Sequence, residues 1–315
     1  MQRGVERLDT PSGKCSRRNR GERLMADFVI LTDSTCDLLP EVAEKYDIRV
    51  AMLSVLLDGN VYKNYLDGRE LSFKDLFDSM RNKKLPTTSA VNVTDFMELM
   101  EPDLQAGKDI LYIGFSAIMS GTYNAGCVAA KELLEKYPER KILTVDTKCA
   151  TLGEGLIAEL CAIERDKGKT IEETYEFAIE HSKNIRHMFT VDDLFHLVRG
   201  GRATKATAII GSMLGIKPLL NVNTEGKVDA YAKARGRKKA FKMIVEDAKQ
   251  HVLDKDIPFY IAHGDDFEGA EVLAKLIRDE VGCTDVRIGY LGAVCGCHGG
   301  PDLVGAFYLG NGGRE

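Results

Sequence analysis

The residues best suited to chemistry fall in a few short clusters. Ser116, Ser120, Gly121 and Thr122 lie between an apolar run of strand type, Ile110–Phe115, and a helix-like segment from Tyr123 to Tyr137. Strand, polar loop and helix in that order bring hydroxyls and free backbone N–H groups to a helix N-terminus, where anions are favoured. The loop has no Walker pattern and no adjacent Lys, so it suits one carboxylate or single phosphate better than a polyphosphate. A capped helix that binds nothing is the competing reading. Thr87-Thr88-Ser89, after Pro86 and before a helical stretch at 93–104, is a second hydroxyl cluster that capping would also explain. Arg199-Gly-Gly-Arg202 sets two guanidiniums about a glycine pair. A helix C-terminus accounts for Arg199 and the glycines; Arg202 fits better as a bidentate anion contact. His298, in Gly292-Ala-Val-Cys-Gly-Cys-His-Gly-Gly-Pro301, reads as part of a Gly-rich turn and can exchange a proton near neutral pH.

Other clusters point elsewhere. Asp33-Ser34-Thr35-Cys36-Asp37 follows the first strand, at the edge of a parallel sheet where ligands bind, or as an N-cap series. With no His or Asp spaced for a triad, the hydroxyls favour binding over nucleophilic catalysis. Cys295, Cys297 and His298 offer three metal ligands without a second cluster. Gly153-x-Gly155-x-x-Ala158 matches a dinucleotide fingerprint by letter but stands six residues past its strand, so it reads as helix packing. Neither a metal nor a cofactor is expected. Lys233, Arg235, Arg237, Lys238 and Lys239 crowd the start of a helix against its dipole, either as a solvated face or for an acidic or phosphorylated partner. His263, ending an apolar strand, reads as structural.

The elements that position these residues are legible from periodicity. Strand-like runs at Phe28–Thr32, Val50–Leu57, Ile110–Phe115 and Lys141–Val145 alternate with helical patterns to about residue 167, which argues for βαβ units and a parallel sheet. Further on, helical pieces at 171–186, 191–198, 237–253 and 267–281 surround strand-like runs at Ile216–Val222, Lys227–Lys233, Phe259–His263 and Val286–Leu291. Asn223-Thr-Glu-Gly226 reads as a hairpin turn. The expected class is α/β in two domains: a parallel N-terminal domain over 25–168 and a C-terminal α+β domain over 169–315, closely packed. Residues 1–24 carry seven Lys and Arg and few apolar residues, with no h-region for a secretory signal, and read as a disordered leader. Eight scattered cysteines suit a reducing cytoplasm, and the formal net charge of −5 argues against nucleic acid as the main partner. No apolar run is long enough to span a membrane.

In order along the chain, Asp33-Ser-Thr-x-Asp-Leu38, Thr88-Ser89, Ser120-Gly-Thr-Tyr123, Asp146 with Gly153-x-Gly155, Leu197-x-Arg-Gly-Gly-Arg202, Gly215-Ile-Lys-Pro218, Arg235 and His298-x-Gly-Pro301 resemble the DegV family of bacterial fatty-acid-binding proteins over about 27–311. The resemblance implies a Rossmann-like N-terminal domain, a C-terminal α/β domain and one long-chain fatty acid between them. It implies that Thr88, Ser89 and Ser116 contact the carboxylate beside Ser120 and Gly121, with Arg202 and His298 around the head group. Arg235 would dock a separate ATP-dependent kinase that forms the acyl phosphate, so this chain would be a binding subunit rather than an enzyme. Three positions depart from the family pattern: Ala90 replaces the usual proline, Ala117 a serine, and Asp302 a glycine. Asp302 is expected to place a carboxylate at the head site, repelling a fatty acid or raising the pKa of His298. Two other readings of the scaffold remain: a small-substrate enzyme related to dihydroxyacetone-kinase domains that uses His298, and a lipid-sensing interaction protein.

Overall fold

The computed structural model describes residues 28–203 and 215–314. The expected leader at 1–24 lies outside the described residues. The first lobe runs β1 (Phe28–Asp33), α1 (Pro40–Lys45), β2 (Arg49–Ala51), β3 (Ser54–Leu57), β4 (Asn60–Lys63), α2 (Phe73–Arg81), β5 (Thr87–Ser89), α3 (Val93–Gln105), β6 (Asp109–Gly114), α4 (Thr122–Lys136) and β7 (Ile142–Asp146). Next come α5 (Leu152–Asp166) and α6 (Ile171–Ser182). The second lobe holds β8 (Ile185–Thr190), α7 (Phe195–Arg199), β9 (Ile216–Val222), β10 (Val228–Arg235), α8 (Arg237–His251), β11 (Phe259–His263), α9 (Phe267–Leu276), β12 (Val286–Tyr290), α10 (Ala293–Gly299) and β13 (Val304–Leu309).

The lobes are built on separate sheets. A four-stranded parallel sheet has the order β2-β1-β6-β7. Its inner strands are buried along nearly their whole length, which requires the continuous apolar runs seen at Phe28–Leu31 and Ile110–Ile113. The chain leaves β1 toward β2 and β6 toward β7, so the switch point lies between β1 and β6, above Asp33 and Phe115. A six-stranded mixed sheet, order β10-β9-β8-β13-β11-β12, forms the second lobe. The hairpin of β9 and β10 turns at Asn223–Gly226, where the Gly226 N–H donates to the Asn223 carbonyl. A small antiparallel sheet, β4-β3-β5, packs on α10 through β3 and β5.

Several elements differ from the sequence reading. Val50–Leu57 is two strands in two sheets, because the chain turns at Met52-Leu53 to pair antiparallel with β4 and β5. β8 and β13 are adjacent inner strands of the second sheet, yet neither was expected from periodicity. In β8, Ile185-Arg-His-Met-Phe-Thr190 mixes polar and apolar residues that are nearly all buried. The helix expected at 191–198 shrinks to α7, and the turn around His298 is helix α10. Lys233 and Arg235 belong to β10 rather than to the helix that Arg237 opens.

Helix α5 joins the lobes. Thirteen of its fifteen residues are buried, so it packs on every side rather than along one stripe. Its core cluster reaches Ile30 and Leu111 of the first sheet and Tyr260 and Phe307 of the second. Two fully buried acids, five residues apart and so on different faces, serve different lobes. Glu154 accepts from Thr32 Oγ1 at 2.8 Å and lies 3.1 Å from Thr35 Oγ1. Glu159 accepts from Tyr260 (2.5 Å) and Arg287 (2.8 Å). Burial, then the neighbouring Asp33, pushes the Glu154 pKa well up. Asp33, which receives Thr35 N–H, Tyr112 O–H and Phe115 N–H, is the better-solvated carboxylate of the pair. The glycines at 153 and 155 serve close packing, as their spacing suggested. A Cβ on Gly155 would stand 2.6 Å from the Cys36 carbonyl oxygen, a backbone atom that cannot step aside. Gly155→Ala is therefore expected to destabilise the protein by about 1–3 kcal/mol despite alanine's better helix propensity. A urea midpoint equal to or above that of the parent would contradict this packing.

Candidate functional site

The gap between the lobes holds a partly open cavity of about 150 Å³. Its polar end is assembled from four elements. Thr88 sits on β5, which pairs with β3 through Val55. Its Oγ1 lies 3.0 Å from Nε2 of His298, near the C-terminal end of α10. Ser120 and Gly121 form the entry to α4 and also line the cavity. The Ser120 hydroxyl accepts the Thr122 N–H at 3.2 Å, so capping and cavity lining coincide in one residue. Arg202 follows α7, its Nε donating to the Met119 carbonyl at 3.3 Å and its Nη1 to that of Gly200. No carboxylate among the described residues pairs with it. Arg199 instead braces the site from outside, donating to the Pro86 carbonyl at 3.1 Å. The remainder of the cavity is largely apolar, with Leu53, Phe115, Phe189, Val222, Val294 and Phe307 on its walls.

The electrostatics follow from this arrangement. His298 is mostly buried, its Nδ1 packed against Gly200 without a hydrogen-bond partner. Burial, then the charges of Arg202 and Arg199, pushes its pKa down to about 4. The ring is thus neutral at pH 7, and the positive charge at the polar end is carried by arginine. Because the unfolded chain takes up this proton near pH ~6.5 and the folded protein only near the lower value, stability is full above that range. It falls as the pH drops through it, by up to about 3 kcal/mol. Ligand-free protein should lose more urea resistance between pH 7.5 and 5 than its His298→Gln variant; parallel losses would sink the assignment.

Of the residues singled out in the sequence, Thr88, Ser120, Gly121, Arg202 and His298 come together on this cavity. Ser89 and Ser116 are not among its lining residues. Ser89 is exposed at the end of β5. Ser116 is fully buried, and its hydroxyl donates to the Gly226 carbonyl at 2.8 Å, tying the loop after β6 to the tip of the hairpin. Arg235 is exposed at the end of β10 and is not among the lining residues. Asp302 does not take the place expected of it. It lies among Asp192, Asp266, Arg237 and Arg81, and its carbonyl accepts from Arg237 at 2.6 Å. The pKa of His298 moves down rather than up.

Residues 27–311 match the sequence profile of a family described as "Uncharacterised protein, DegV family". The chain belongs to the DegV family. It is 41% identical over 288 residues to a DegV domain-containing protein of Clostridium perfringens, an alignment spanning 91% of this chain and 99% of that one. Among solved DegV-type structures it is similar to a fatty-acid-binding DegV family protein of Thermus thermophilus, with 29% identity, a TM-score of 0.81, and coverage of 90% of this chain and 99% of that one. It is also similar to a stearic-acid-binding protein of Eubacterium ventriosum, with 25% identity and a TM-score of 0.78, over 89% and 97% of the two chains. The two-domain α/β architecture is that of the DegV structures.

Four further residues line the cavity: Thr35, Thr151, His187 and Cys295. His187 is fully buried on β8, its Nε2 accepting the Ala150 N–H at 3.1 Å, and burial drives its pKa well down. Thr151 holds φ +49°, strained for a β-branched residue, at the turn into α5. His187 carries no motif, and β8 itself was missed. Thr35 stands in a cluster read either as the ligand-binding edge of the parallel sheet or as an N-cap series, and Cys295 in one weighed for metal.

Proposed function

We propose that this protein binds one long-chain fatty acid, with its carboxylate at Thr88, Ser120, Arg202 and His298 and its alkyl chain in the apolar cavity. The observation that carries this reading is the pairing of a carboxylate-free guanidinium and two hydroxyls with walls of Phe, Val and Leu in a single cavity. A small polar substrate would leave most of those walls without contact. Burying an alkyl chain is worth about 0.8 kcal/mol per CH₂, so a modest head site suffices for tight binding. The fatty-acid-binding DegV relatives, at 25–29% identity over nearly their whole length, support the same ligand class.

The protein then presents the carboxylate to a separate ATP-dependent kinase, with Arg235 on the docking face, and carries the acyl phosphate away. What supports this division of labour is that the cavity offers a neutral histidine and a cation to hold an acid. Denaturing extraction of the purified protein followed by mass spectrometry tests the ligand. One equivalent of a fatty acid of about C14–C18 is expected, a range that includes the stearic acid of the Eubacterium ventriosum relative. No lipid, even after incubation with a fatty-acid mixture, would reject the reading. The kinase step is tested separately, by acyl-hydroxamate formation with ATP and a kinase subunit. Arg235→Ala should lower that turnover while leaving bound lipid unchanged.

A further inference from the structure

A second cavity, of about 490 Å³, opens on the other side of the segment that joins β7 to α5. Thr147 and Lys148 of that segment face it, while Ala150 and Thr151 face the acyl cavity. Both lobes contribute walls: Tyr123 from α4, Tyr175 and Ser182 from α6, Thr224 from the hairpin turn, and Arg314 beyond β13. Its size falls within the ~300–1,000 Å³ usual for small-molecule sites.

Its charges are unbalanced. Arg314 is only 7% exposed, so its guanidinium is held almost out of water. It donates to the carbonyls of Lys148 (2.5 Å), Thr147 (3.2 Å) and Ser182 (3.1 Å), and its Nε has no acceptor. Carbonyls solvate a cation but do not neutralise it, and an uncompensated buried charge is costly. Lys148 and Lys183 also line the cavity, and among the described residues no carboxylate pairs with any of these three cations. Among the described residues Asp146 is the single acid on the walls, its Oδ1 accepting the Ala117 and Lys148 N–H groups. Three cations against one carboxylate leave a charge near +2, which a phosphate monoester of about −1.5 to −2 would match. The two tyrosines supply flat apolar surface for the rest of such a molecule. One face of Tyr123 is already used, stacked on Tyr112 at 5.9 Å, and its hydroxyl contacts Thr144.

We infer that this second cavity is a binding site for a small phosphate monoester with a planar body, the chemistry of a nucleoside monophosphate. Adenosine monophosphate is the probe, titrated calorimetrically into the whole chain, with inorganic phosphate and adenosine as separate arms. Saturable binding is expected, weakened at least about tenfold when either the base or the phosphate is missing. Lys148→Met and Lys183→Met change exposed side chains and should each weaken it about three- to tenfold, with thermal melting unchanged. Arg314→Met should abolish it; because that variant also loses three hydrogen bonds, the lysine variants carry the test. The inference is overturned by no saturation by about 5 mM, by equal affinity for inorganic phosphate, or by undiminished binding in both lysine variants. Oleate loading should not displace the probe; competition would place the probe in the acyl cavity and overturn the inference too.

Discussion

Arg202→Met is expected to weaken fatty-acid binding by about 10–100-fold, the loss of one hydrogen-bonded charge contact worth roughly 1.5–3 kcal/mol. The size follows from what surrounds the guanidinium. Its other partners are the carbonyls of Met119 and Gly200, so its positive charge is available to a ligand. In the parent His298 is neutral at pH 7, its pKa pushed down to about 4, and burial, the largest cause, persists when Arg202 is removed. Thr88 and Ser120 can donate to a carboxylate but cannot offset its charge. Arg202→Lys should recover part of the affinity, because a point charge remains while the planar fork is lost. Competition against a fluorescent fatty acid at fixed ionic strength measures both. The loss should be the same for C14, C16 and C18 acids, since the head contact and the chain contact are separate. A loss below twofold would remove Arg202 from the head site.

The largest effect on stability is expected at Arg287. Its Nη1 reaches Glu159 at 2.8 Å, and the Tyr260 hydroxyl completes that carboxylate's environment at 2.5 Å. Glu159 is fully buried on α5, while Arg287 stands on β12, so the pair crosses the lobes. Arg287→Met leaves the carboxylate buried without a counter-charge, a change that costs about 3–5 kcal/mol in comparable pairs. Removing both charges should cost far less, because the desolvation penalty disappears with the pair; the double variant Glu159→Leu, Arg287→Met is expected within about 1–2 kcal/mol of the parent. Urea unfolding of the four proteins gives the coupling directly. If the double variant were as unstable as Arg287→Met alone, packing rather than charge would be responsible. Arg287 also pairs with the partly exposed Asp285, a contact that contributes little.

How far the sequence carries can be judged element by element. The inner strands of the parallel sheet announce themselves because burial on both faces demands unbroken apolar runs, and the hairpin because its turn chemistry is local. The inner strands of the mixed sheet do not. β8 carries Arg186 and His187, whose partners, Asp247 and Ala150, lie 61 and 37 residues away. Helix α10 contradicts propensity. Gly292, Gly296 and Gly299 read as a turn, yet a Cβ on Gly296 would press within 2.8 Å of the Phe77 ring and one on Gly299 within 2.6 Å of Leu291. There, tertiary packing overrides local preference. At the site, Thr88, Ser120, Gly121, Arg202 and His298 were legible because hydroxyl, glycine and guanidinium at loop-to-helix junctions have few uses. Ser116 shows the limit: its residue type fits an anion, but its hydroxyl is claimed by Gly226, 110 residues further on. Glu154 and Glu159 went unremarked, though two acids within a run of small and apolar helical residues were a signal worth weighing.

The helix shared by the two sheets has a dynamic corollary. A segment buried on all sides cannot act as a hinge, since any swing of one lobe would strip its apolar surface into water. The lobes should therefore unfold as one cooperative unit, with the amides of α5 exchanging only at the global limit while those of β5 and α7 exchange earlier. A guest molecule then enters and leaves through local openings at the rim, and its residence time is set by those small segments and not by the stability of the whole.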